Sequence, residues 1–325
     1  MLLRQDVKFA RISVRWLAFR NRTAKKLVVA SRGPIVSLTT HGQRIRTVHL
    51  AIESIANGSI LPSQIILWLD NADAFKNRPR SLHRLEERGL EIRLTQNYGP
   101  HEKYYPFLES TDTFEMPLVT ADDDVLYPKG WLSGLVNSFN RDCTVINCYR
   151  AHEIQLTDRT IAPYLNWGPC RSQKPSFLNF AAGNSGCIYP PAFLRALKAA
   201  GKGFEQQCPT ADDVWLHVNA IRAGFMIRQI RKRPLDFPSL PDTQDIGLCV
   251  SNVGMGQNDV QIKKTYSPTD IGALVSCLTA RDGSLALKHR DDVVCEPPVK
   301  NANSMPNLGA AFITVRRSDC EAGQE

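Results

Sequence analysis

The chain has 325 residues, 43% of them hydrophobic and 22% charged, which suits one large or two small globular domains with a sizeable core. Its net charge of +8 sits entirely in the first 32 residues, which hold nine Lys or Arg and one acid, Asp6, leaving 31 basic and 31 acidic residues in the rest. A charge-neutral body argues against nucleic-acid binding, and no apolar run approaches the ~20 residues that span a bilayer.

The nine cysteines follow neither a C-x-x-C nor a zinc spacing, so buried reduced thiols in a cytoplasmic protein are expected. Arg or Lys interrupts the N-terminus every few residues, which leaves no signal-peptide core.

Residues 1–30 read as a helix within a basic arm, 1–32. At about 100° per residue, Arg4, Lys8, Arg11, Arg15 and Arg22 share one stripe. Leu3, Val7, Ala10, Val14 and Leu17 flank it on one side, and Ile12, Trp16 and Phe19 on the other. That pattern suits an anionic membrane surface, and it equally suits a solvated helix packed on its own domain or on a partner.

The body begins at Gly33-Pro34. Residues 35–39 read as a strand that runs into the polar loop 40–44, and residues 47–57 as a helix stopped by Gly58. A second strand, 64–69, ends at Asp70. A second helix, 80–88, ends at Gly89, and a third strand, 90–94, precedes Gly99-Pro-His-Glu-Lys103 and a short helix. The apolar run 116–120 then ends in Asp122, Asp123 and Asp124. Strand and helix alternate, so a mostly parallel α/β sheet with right-handed crossovers is expected. Such sheets bind ligands at the carboxyl ends of their strands. Neither G-x-G-x-x-G nor a Walker loop occurs, which speaks against a dinucleotide dehydrogenase and a P-loop NTPase.

Strand alternation would turn Asp122 and Asp124 one way and Asp123 the other. Two hard oxygen ligands at a strand end suit Mg²⁺ or Mn²⁺ with positions left for phosphate oxygens. The competing reading is a solvated acidic turn.

The second half is less regular. A helix over 130–139 and strands over 144–148 and 227–230 are expected, the last surrounded by Arg228, Arg231, Lys232 and Arg233. The small residues 181–186, with Gly183 and Gly186, allow backbone to approach a ligand closely. Thr210 is a plausible N-cap, with Asp212 and Asp213 entering the helix behind it. Those acids can serve the helix dipole, or one can reach a cleft as a general base. His217 is read as a packed histidine. Residues 263–325 are read as a loosely ordered appendix.

Residues 35–40, 99–103, 120–128, 175–191, 209–215 and 258–261, in that order, resemble bacterial glycosyltransferases of the GT-A fold, family-2-like, of the surface-polysaccharide type. The resemblance covers about residues 33–262. It implies that Asp122 and Asp124 are the D-x-D acids holding Mn²⁺ or Mg²⁺, with Asp123 beside them on the donor side. It further implies that Asp70 contacts the nucleotide base, that Thr39, Thr40 and Lys103 approach the nucleotide-sugar with Gly183 and Gly186, and that Asp212 or Asp213 is the catalytic base. This chain has Asp-Asp where Glu-Asp is usual, so the choice between them stays open. The implied reaction moves a sugar from a nucleotide-sugar to a glycan or lipid-linked acceptor, with inversion, in the cytoplasm and at the inner membrane face. A nucleotidyltransferase and a silent membrane-bound scaffold are the competing functions.

Overall fold

The computed structural model describes residues 4–240 and 256–282. In chain order the elements are α1 (Arg4–Thr23), β1 (Ile35–Thr39), α2 (Val48–Ala56), β2 (Gln64–Leu69), α3 (Ala72–Lys76), α4 (Arg80–Glu86), β3 (Leu90–Leu94), α5 (Tyr105–Glu109) and β4 (Leu118–Thr120). There follow α6 (Trp131–Arg141), β5 (Ile146–Cys148), β6 (Ala151–Glu153), β7 (Leu156–Thr157), β8 (Thr160–Ile161), β9 (Gly168–Pro169), β10 (Asn179–Ala181) and β11 (Cys187–Tyr189). The last are α7 (Pro191–Ala200), α8 (Phe204–Gln207), α9 (Asp212–Arg222), β12 (Ile227–Gln229), α10 (Gln257–Thr265) and α11 (Pro268–Asp282).

Seven strands form the central sheet in the order β12-β5-β11-β4-β1-β2-β3. The expected mostly parallel α/β architecture is the one observed. β1 lies parallel to β2 and β4, β2 to β3, and β12 to β5. Only β11 runs against its neighbours β4 and β5. Two reversals restore the direction, so β12 ends at the same edge of the sheet as β1, β2, β3 and β4. The buried run Ile65–Leu69 makes β2 apolar on both faces, as a strand covered by helices on each side must be.

The short strands β6, β9 and β10 form a second small antiparallel sheet, and β7 and β8 a hairpin. No strand was expected over these segments, because two- and three-residue strands leave too few positions to show a period.

The helices continue past residue 262, where a loosely ordered appendix was expected to begin. α10 and α11 both pack on α9, and Leu274 of α11 is fully buried. Arg222 of α9 clasps Asp270 at 2.9 Å and the Thr265 carbonyl at 2.9 Å. This docking, not helical periodicity, orders residues 263–282. The remainder of that expected appendix, 283–325, lies outside the described residues.

α1 is held to the body along part of its length. Leu17 is buried, with Val14 packed beside it, so the flank of the stripe that carries these two faces inward. Glu53 of α2 is fully buried. It accepts from Arg20 Nε at 3.0 Å, from Asn21 Nδ2 at 3.2 Å and from both terminal nitrogens of Arg88. Trp16 and Phe19, from the opposite flank, stay 47% and 63% exposed beside exposed Arg15 and Arg22.

Candidate active site

Four strand ends and one helix start meet at the carboxyl edge of the sheet. From β4 come Asp122, Asp123 and Asp124; from the turn Gly99–Lys103 comes Lys103; from the first turn of α9 come Asp212 and Asp213. Lys103 Nζ stands 2.8 Å from Asp122 Oδ1 and 3.4 Å from Asp212 Oδ2. One ammonium thus bridges the acids after β4 and the acids opening α9. Burial works against its charge, but Asp122, Asp212 and Asp213 outweigh that and hold its pKa well above the usual lysine value.

Asp213 Oδ1 accepts the Gly183 N–H at 3.1 Å. A Cβ at Gly183 would sit 3.0 Å from that oxygen and 3.8 Å from Lys103 Nζ, so a side chain there would crowd the site. Burial, then the neighbouring Asp212 charge, push Asp213 up to about 8. The helix does not start as the sequence suggested. Its N-cap is Ala211, because Thr210 is engaged elsewhere: its N–H donates to Gln261 Oε1 at 3.0 Å and its hydroxyl accepts from Gln261 Nε2 at 2.9 Å. Through Gln261, α10 braces the start of α9. Through Asp259, which accepts the Tyr164 N–H at 2.7 Å, it also braces the loop after β8.

The expected alternation of the three acids after β4 does not hold. β4 ends at Thr120, and Asp123 and Asp124 lie in a turn, where the two-residue period of a strand no longer applies. Arg44 therefore meets both, at 3.0 Å from Asp123 and 3.3 Å from Asp124, while Asp122 faces Lys103. Thr40 also donates to Asp123 at 2.5 Å. Burial, then the charges of Asp122 and Asp123, raise Asp124 to about 6. Five carboxylates thus share the two cations Lys103 and Arg44 named in these contacts, and repulsion among them is only partly relieved.

Asp122 and Asp124, the acids the resemblance implied for a divalent cation, are engaged here by Lys103 and Arg44. Among the described residues no set of three or more His, Cys, Asp or Glu is placed to hold a metal alone. A divalent cation at Asp122 and Asp124 would need oxygens from a bound ligand as well.

A third group lies over β1, β2 and β3. Thr39 Oγ1 stands 2.5 Å from Glu102 Oε2 and 3.2 Å from the Trp68 carbonyl oxygen. Asp70 accepts from Asn97 at 2.7 Å. Glu102 also accepts the Tyr98 N–H at 3.2 Å, and burial raises its pKa to about 7.

Gly186 stands apart from these groups. Its φ is +93°, and a Cβ would meet the Trp131 indole at 2.7 Å, so this glycine answers to backbone and packing. His217 packs: its two nitrogens meet Tyr266 Oη at 2.6 Å and the Phe177 carbonyl at 2.9 Å. The six cysteines among the described residues are free thiols, four of them buried and Cys143 exposed. Sequence reasoning missed Glu102 and Asn97, and it placed Arg44 only within the polar loop 40–44. Arg44 had a readable signal in its polar loop directly after a strand; Glu102 had none, since a buried carboxylate is recognised by its partners.

No family model and no curated protein matches the chain. Similar solved structures include the mannosyltransferase PcManGT from Pyrobaculum calidifontis with GDP-Man and Mn²⁺, 15% identical, covering 87% of this chain and 84% of that one at a TM-score of 0.46. GalNAc-T7 with UDP, GalNAc and Mn²⁺ is 11% identical over 79% of this chain and 58% of that one, at 0.44. A CMP:2-keto-3-deoxy-manno-octonic acid synthetase with CTP is 10% identical over 61% and 88%, at 0.37.

Proposed function

We propose that this protein is a metal-dependent glycosyltransferase of GT-A type that moves a sugar from a nucleotide-sugar to a glycan or lipid-linked acceptor with inversion, in bacterial surface-polysaccharide assembly. The observation that carries the reading is Lys103, which brings Asp122 and Asp212 to one point at the ligand-binding edge of the sheet. A donor diphosphate belongs at the Asp122–Asp124 end, with its nucleoside toward Thr39, Thr40 and Asp70. A divalent cation held by Asp122 and Asp124 would supply positive charge against the leaving diphosphate. Asp212, which faces the Lys103 ammonium at 3.4 Å, takes the proton of the acceptor hydroxyl as it attacks the anomeric carbon. Asp213 is anchored by the Gly183 N–H and holds the first turn of α9 in place.

A nucleotidyltransferase would aim basic side chains of the loop after β1 at triphosphate. Arg44, the candidate in that loop, contacts Asp123 and Asp124, which favours the transferase of sugars. The test is thermal unfolding against a panel of nucleoside diphosphates with and without Mn²⁺. A ligand at ~100 times its Kd adds about 2.7 kcal/mol, a readable rise in Tm. We expect one nucleotide to raise Tm only with the metal, and Asp124→Asn to lose that rise. No rise with any nucleotide in folded protein would leave a catalytically silent scaffold as the better reading.

No helix among the described residues is long and apolar enough to cross a membrane. The outward face of α1 sets Trp16 and Phe19 beside Arg15 and Arg22, which suits shallow seating on anionic lipid at the cytoplasmic face. Co-sedimentation with vesicles is expected to require anionic lipid and to weaken with salt. Equal binding to neutral vesicles, or an unchanged result for Trp16→Ser/Phe19→Ser, would count against it.

A further inference from the structure

β12 is the edge strand of the sheet and ends beside two short basic loops. One carries Arg171 and Lys174, the other Arg231, Lys232 and Arg233, and all five are exposed. None of the five has an ion-pair partner among the described residues, whereas Arg228 and Arg150 nearby are engaged by Asp142 and Asp236. The loops are pinned to each other from beneath. Gln229, fully buried, donates through Nε2 to the Cys170 carbonyl at 3.0 Å and to the Arg231 carbonyl at 2.7 Å, and its Oε1 accepts the Ala151 N–H at 2.9 Å. Gln173 Nε2 adds a bond to the Ile230 carbonyl at 2.8 Å.

The second loop leads straight back to the site. Beyond Arg233 the chain crosses the carboxyl edge of the sheet: the Leu235 N–H donates to the Tyr149 carbonyl at 3.1 Å, Ser185 Oγ to the Leu235 carbonyl at 2.7 Å, and the Leu240 N–H to the Asp124 carbonyl at 2.6 Å. β12 and β4 end at the same edge, three strand spacings apart, which is about 14 Å. Five exposed like charges held close together repel one another, and no ion pair among the described residues engages them; a bound anion relieves the repulsion.

We infer that residues 171–174 and 231–233 form a second binding site that takes a phosphate- or carboxylate-bearing part of the acceptor, with the reacting hydroxyl reaching back along the strap 234–240 to Asp212. The word acceptor rests on the transferase reading; the anion site itself does not. The place of the patch at the β12 edge, away from Thr39 and Asp70, separates it from the donor's nucleoside.

The test is equilibrium binding of fluorescent tri-galacturonate, a fluorescent short-chain prenyl diphosphate and fluorescent maltotriose to the full chain. The same titrations are run on Arg231→Ser/Lys232→Ser/Arg233→Ser and on Arg171→Ser/Lys174→Ser. One anionic probe is expected to bind more tightly than maltotriose, to weaken with salt, and to lose ~10-fold or more in affinity in either variant. Which anionic probe binds separates an acidic glycan from a lipid diphosphate. Unchanged melting temperatures confirm that the variants fold, and an unchanged nucleotide-dependent Tm rise shows the donor end intact. Anionic-probe binding without any nucleotide effect would keep the site and remove the transferase reading. Failure of both anionic probes to bind the natural chain overturns the inference. So does equal binding by natural chain and variants, or loss in the variants of anionic-vesicle binding alone.

Discussion

Asp212→Asn is expected to slow sugar transfer by ~10²–10⁴-fold, the range for loss of a positioned general base, while the nucleotide-dependent rise in Tm survives. Asp213→Asn is expected to cost far less. Asp213 is pushed up to about 8, so near neutral pH it is mostly protonated, and asparagine imitates a protonated acid while still accepting the Gly183 N–H. Asp212 is the acid that faces the Lys103 ammonium, at 3.4 Å.

The same assignment has a consequence for stability. A carboxyl raised in the folded chain keeps a proton that the unfolded chain has released above about pH 4. Its contribution to stability therefore falls as pH rises from about 4 toward 8. Asp124, raised to about 6, acts in the same direction over the lower part of that window. Asp213→Asn removes the larger contribution, so the variant should match the natural chain near pH 4 and melt higher than it at pH 9. Parallel Tm–pH curves, or an Asp213 variant as inactive as Asp212→Asn, would reverse the roles of the two acids.

Glu53→Ala is expected to destabilise the fold by about 3–5 kcal/mol, the cost of removing one partner from a buried ion pair. Arg88 is only 3% exposed and Asn21 1%, so neither can recover its bond from water. Arg88 would keep the Lys26 carbonyl at 2.7 Å but would be left with a buried, unmatched charge. The loss reaches α1 as well, since Arg20 and Asn21 both hold Glu53. Urea unfolding measures the first effect, and faster amide exchange in residues 13–23 the second. A loss under about 1 kcal/mol would place Glu53 among surface-like pairs instead.

The first half of the sheet could be read directly. Runs such as Ile35–Thr39 and Gln64–Leu69 are apolar, bounded by breakers and separated by amphipathic helices, so local composition determines them. The same logic set Asp70 and the acids 122–124 at strand ends, because a parallel sheet places every such end on one edge. The basic arm was legible as a helix with two apolar flanks.

Which flank turns inward was decided by the body. A buried carboxylate on α2 needed Arg20 and Asn21, and so drew Leu17 and Val14 inward and left Trp16 and Phe19 outside. The reversed strand β11 likewise depends on pairing with β4 and β5, which lie 67 and 39 residues back at Thr120–Cys187 and Cys148–Cys187, and three residues alone carry no such preference. Periodicity also placed Asp122 and Asp124 together, but the strand stops at Thr120 and Arg44 claims Asp124. The site itself is a matter of tertiary structure. Sequence supplies five acids and a lysine far apart along the chain; only the folded sheet brings Lys103 within reach of Asp122 and Asp212, and a charge has no defined role until its neighbours are fixed.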